Sequence, residues 1–179
     1  MSNENQGKEY IKVVQDIIEH ELNLAPANPS STDPNEHRVF IYNQDFVLPT
    51  YKRMLVVLSP MPAATISNRS TMDDSTPPNE VAEILMQQAI NIDVMSRDTE
   101  ARQRKEEILM ALASFYSQRQ QGANGFRIFT QSTSFTDISE AEGSGMINRY
   151  RVTIMCHVHY IKTKAADYYG SFTQEIHED

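Results

Sequence analysis

Tryptophan is missing from this chain, cysteine occurs once, and aliphatic runs such as Met54 to Leu58 are short. A single cysteine cannot close an intrachain disulfide. An aliphatic run that short falls far below the roughly 20 apolar residues that span a bilayer as a helix, so a membrane protein is not expected. Aromatic residues make up only 8% of the chain, which suggests a modest core. Basic residues are also scarce: 16 Lys and Arg stand against 24 Asp and Glu, a net charge of −8. General nucleic-acid binding needs a surplus of Lys and Arg that this chain lacks, so DNA could pass it without sticking. The opening MSNENQGKEY has neither the basic nor the apolar region of a secretory signal, and a cytoplasmic setting is expected.

What is present fits one globular domain. The chain has 179 residues, 40% apolar and 22% charged, enough for one real core and too little for two comfortable ones. EYIKVVQDIIEHELN places Tyr10, Ile11, Val14, Ile17, Ile18 and Leu22 at helical spacing, predicting an amphipathic helix over about 8–24. RVFIYN and YKRMLVVLS read as two paired strands around a turn at Pro49, following a Pro- and Ser-rich loop. Residues 60–79 contain four prolines and no strong period, so a long loop is expected there, mobile in a free subunit. In the next segment Ile84, Met86, Ile90, Ile92 and Val94 share one face of a long strand, with Gln88 interrupting the stripe. Ser96 or Asp98 can cap a following helix that presents Ile108, Leu112 and Phe115 and stops near Gly122. GFRIFTQST reads as a strand, DISEAEGSGMI as an acidic loop, and INRYRVTIMCHVHYIK as a closing strand. The sum is an α+β domain over residues 1–164, with a mixed or antiparallel sheet of about five strands flanked by two main helices. A C-terminal tail follows at 165–179.

The closing strand carries the residues that most invite a chemical reading. Alternation sends Tyr150, Val152, Ile154, Cys156, Val158 and Tyr160 to one face and Arg151, Thr153, Met155, His157, His159 and Ile161 to the other. Cys156 therefore points away from both histidines, which argues against a Cys-His dyad. His157 and His159 share a face about 7 Å apart and could give two ligands to one metal, but zinc normally takes three or four from protein. His20, His37, Asp93 and His177 form no recognisable second half of such a set. GSG around Ser144 lacks nucleophile-elbow spacing, and GANG at 122–125 reads as a helix end. No catalytic, cofactor-binding or metal residue is assigned.

The order of elements, together with Asn43 and Gln44 after the first strand, Asp137 to Ser139 before the last, and the aromatic-basic step Arg149 to Arg151, resembles the bacteriophage neck or tail terminator family over roughly residues 8–162. The 60–79 segment and the acidic C-terminal extension depart from that pattern. The resemblance implies a non-enzymatic virion protein without cofactor or active site. It would form a ring, a hexamer, that caps the head-proximal end of the tail. Its partners would be itself, the tail tube and sheath, and the neck or connector proteins, with DNA passing through. Another tail-completion or head-tail connector role is the near alternative, and a metal-binding module or metal-dependent enzyme using His157 and His159 the distant one. Charge suggests how copies could meet: acidic Asp73, Asp74, Asp137, Glu140 and Glu142 on one subunit against basic Arg97, Arg102, Arg104, Lys105, Arg149 and Arg151 on the next.

Overall fold

A computed structural model describes residues 9–26, 36–42, 53–73, 79–129, 134–142 and 145–165. The first amphipathic segment forms α1 (Tyr10–Glu21), burying Ile11, Val13, Val14, Ile17 and Ile18. It ends at Asn23, whose φ of 52° lets the Leu24 amide return to the Glu19 carbonyl at 2.9 Å, a left-handed cap that satisfies a last-turn acceptor. The sheet follows: β1 (Val39–Ile41), β2 (Leu55–Asp73), β3 (Asn79–Ser96), then α2 (Glu100–Ala113) and α3 (Phe115–Ala123), then β4 (Phe126–Phe129), β5 (Thr136–Asp137), β6 (Glu140–Glu142) and β7 (Gly145–Ala165). The strand order is β1-β2-β3-β7-β4, with β5 and β6 also pairing with β7. The expected α+β domain, a mostly antiparallel sheet flanked by helices, is the architecture observed.

All three helices cover one face of the sheet. Ile90, Ile92 and Val94 of β3 and Tyr150, Val152, Ile154, Cys156 and Val158 of β7 meet Val14, Ile17, Ile18, Ile108 and Leu112 there in one buried cluster. A smaller cluster of Phe40, Leu55 and Val57, with Met95 against it, lies apart from that core. Ser96 and Asp98 both serve the start of α2: Ser96 Oγ accepts from the Ala101 amide at 3.0 Å, and Asp98 Oδ1 from the Glu100 amide at 2.8 Å.

Four expectations need correction. First, β1 and β2 do pair, but in parallel, Val39 beside Val56 and Ile41 beside Leu58; a parallel pair cannot be closed by a tight turn at Pro49. Second, residues 60–73 are strand, because β3 supplies a partner along their whole length. The prolines that suggested a loop, Pro60 and Pro62, fall at a register shift between Pro60 and Ala63, on the flank of the sheet where no ladder bond is lost. Residues 74–78 of that predicted loop, including Asp74, Pro77 and Pro78, lie outside the described residues, as do Asn43 and Gln44. Third, Phe115 does not join the core: Ser114 is extended at ψ 160°, breaks the helix, and accepts from the Ser117 amide to start α3, leaving Phe115 91% exposed. Fourth, most of the acidic segment before the last strand is paired, Asp137 with Tyr150 and Glu140 with Ile147.

Candidate functional site

Three strands dominate the molecule. β2, β3 and β7 have 19, 18 and 21 residues, and at about 3.4 Å per residue they run roughly 60 Å. The helical layer covers only part of that length. From Leu55 to Leu58 and from Ile92 to Val94 both faces are packed, and from Tyr150 to Val158 one face is. Beyond, Met61 to Ser70 of β2 are exposed on both faces, and residues 81–89 of β3 are at best half-buried even though strands pair on both their sides. The sheet therefore leaves its core and continues as a three-stranded extension. Gln88 stands at that boundary, opposite buried Cys156, which explains the interruption in the apolar stripe.

Two of the segments that carried the resemblance, 137–139 and 149–151, come together at the other end of the sheet. Asp137 Oδ1 accepts from both the amide and the hydroxyl of Ser139, at 3.0 and 2.5 Å, and Ser139 Oγ accepts from the Arg149 amide at 3.0 Å. These bonds, chiefly the side-chain hydroxyl of Ser139 and then its amide, hold the Asp137 carboxyl below its ordinary pKa, with Arg102 and Lys105 of α2 adding a favourable charge. Arg149 and Arg151 in turn reach across to β3. Arg151 donates to both Asp93 oxygens at 2.6 and 2.8 Å, and Arg149 to Oδ2 at 2.6 Å. Asp93 is only 1% exposed. Burial pushes its pKa up, but the hydrogen bonds and charges of the two arginines outweigh that and keep it below the usual carboxylate value. The motif ties β7 to β3 and to the segment that precedes it.

Several residues of the expected charge surface are engaged within the chain. Arg104 pairs with Glu100 at 2.9 Å and with Glu107 at 2.8 Å, and Lys105 pairs with Glu106 while its ammonium lies 5.4 Å from the Tyr150 ring centre. Glu100 also accepts from Arg38 and from the Met54 amide, so one carboxylate ties α2 to the starts of β1 and β2. Asp73 ends β2 at the far tip, Arg97 and Arg102 lie at the start of α2, and Glu140 and Glu142 belong to β6.

His157 and His159 lie on the face away from the helices, as alternation predicts. His157 packs against the Phe129 ring at 4.4 Å, and His159 Nε2 is 3.8 Å from Glu83. With Ser67, Leu85 and Arg127 they line an open groove of about 480 Å³. Among the described residues, no three His, Cys, Asp or Glu side chains are grouped to hold a metal. Cys156 is fully buried and its thiol is pushed up to about 12 by that burial. Sequence reasoning missed the two-faced extension, because exposure on both faces of a paired strand is a tertiary property. No protein-family model matches this chain, and no curated protein sequence matches it.

Proposed function

We propose that this protein is a non-enzymatic virion component that assembles as a ring, most simply a hexamer, on the head-proximal end of a phage tail. There it stops tube growth and joins the tail to the neck after assembly in the host cytoplasm. The observation that carries this reading is the long sheet that outruns its own helical layer. A three-stranded extension that none of the described helices covers gains little from burial in an isolated subunit and is suited to burial between subunits. The Asp137–Ser139–Arg149 junction supports the same reading, since it joins two of the segments that carry the resemblance. The mechanism is capping by surface complementarity, with no bond made or broken. The net charge of −8 disfavours adhesion of passing DNA.

The test is assembly. Purified protein is expected to give ring-shaped particles in negative stain and to bind one end of purified tail tubes. Rings that bind neck complexes but never tubes would reassign the protein to the connector. Monomers that bind neither would defeat the proposal.

A further inference from the structure

Resting on the ring reading, we infer that copies join edge to edge through their sheet extensions, β2 of one copy lying beside β7 of the next. Among the described residues, neither flank of the extension has a partner strand: none lies beside β2 beyond Leu58, where β1 stops, and none lies beside β7 beyond Val158, where β4 stops. The two open edges cover the same levels of the sheet. Leu85 pairs with Ser67 on one side and His159 on the other, and Asn79 pairs with Asp73 and with Ala165.

An open strand edge presents a row of backbone donors and acceptors that only another strand matches along its length. Native edges are usually blunted by proline, charged side chains, bulges or short length; β7 carries Lys162 and Lys164 here, and the Lys164 ammonium is held by Glu80 of β3 at 2.7 Å. Here both register shifts of β2 lie before Ser67, and from there to Asp73 the strand is regular and free of proline. Large apolar side chains flank these edges in solvent: Ile66 and Met72 on β2, Tyr160 on β7.

The occupant that fits is a second copy of this chain. β2 and β7 are each antiparallel to β3 and so run in the same direction. Setting β7 of one copy against β2 of the next makes a parallel joint between unlike edges, which repeats by rotation and closes into a ring. A joint between like edges would stop at two copies. Six copies with three strands each would give about 18 strands, a size at which closed sheets keep a water-filled lumen.

Paired cysteines test the joint. Ser70 and Lys162 both flank Ala82, from opposite sides, so within one chain they are roughly 10 Å apart, beyond the ~7 Å that a disulfide can bridge. In the variant carrying Ser70→Cys and Lys162→Cys, any new disulfide must therefore join two copies. Cys156 is buried and does not compete. Replacing Ser70→Cys by Asn68→Cys or Met72→Cys in the pair shifts the register by two residues either way. Oxidation is expected to produce a ladder of covalent oligomers up to the ring in one of the three variants, and no species beyond a dimer for single cysteines. Rings in stain with no ladder in any variant would overturn the edge joint while leaving the ring intact. Variants that stay monomeric and unlinked, even with tail tubes, would overturn both.

Discussion

Asp93 shows how far one side chain can depend on residues distant in sequence. Its carboxylate lies on β3 and its two arginines on β7, 56 and 58 positions later. Asp93→Asn keeps the shape and removes the charge. A fully buried pair that loses a partner costs about 3–5 kcal/mol, but Arg149 and Arg151 are 36% and 37% exposed, so water screens much of the loss. A destabilisation of about 2 kcal/mol is expected, read as a lower urea midpoint with unchanged slope; no change would mean that the clamp contributes nothing to folding. His157 and Cys156 show what alternation alone made legible. Their opposite orientation follows from the period of a strand, and the structure places them so. The partners of His157 and Asp93 were not legible, because Phe129 and the arginines arrive through pairing with other strands.

At the level of elements, the same strand has two characters. Ile90, Ile92 and Val94 lie under helices, whereas Ile84 and Met86, on the same face, lie in the extension and stay half-exposed. Stability should follow coverage, since segments with few buried apolar contacts open at low free-energy cost. In free subunits, amides of β3 from Val81 to Leu85 are expected to exchange at least about tenfold faster than those from Ile90 to Val94. Assembly should slow the first set and leave the second unchanged. Equal protection of both sets in the free subunit would mean that the extension is already covered. Helix α1 was legible from its spacing, and its boundaries moved by only a few residues. The continuous helix expected through Phe115 was not, because Ser114 caps a new helix only when its extended backbone is in place.

For the whole molecule, the carboxylates of Asp93 and Glu100, both partly or fully buried, contribute to the response to acid. Burial acts to raise the pKa of Glu100, and bonds from the Met54 amide, Arg104 and Arg38 outweigh it, so the net shift is downward, as for Asp93. A carboxylate with a folded pKa below its unfolded one stabilises fully above the unfolded value and loses that contribution as pH falls through the folded value. The ordinary values are 3.8 for Asp93 and 4.5 for Glu100, so stability should be flat down to about pH 5 and fall progressively below it. The variant combining Asp93→Asn and Glu100→Gln should be less stable at neutral pH and show a shallower decline in acid. An undiminished slope in urea titrations between pH 5 and 3 would assign the acid response to other groups.

The sequence by itself determined the local periods: the amphipathic face of α1, the alternation of β3 and β7, and the burial of Cys156 opposite the two histidines. It determined them because side-chain direction repeats with the backbone geometry of each element. Only the tertiary structure decided that Pro60 to Asp73 is strand, that Arg149 and Arg151 hold Asp93, and that the sheet continues past its core. In each case the deciding interaction comes from a partner strand: β3 supplies hydrogen bonds to a segment whose own composition favours a loop, and β7 brings charge to a carboxylate that could not remain ionised and buried alone.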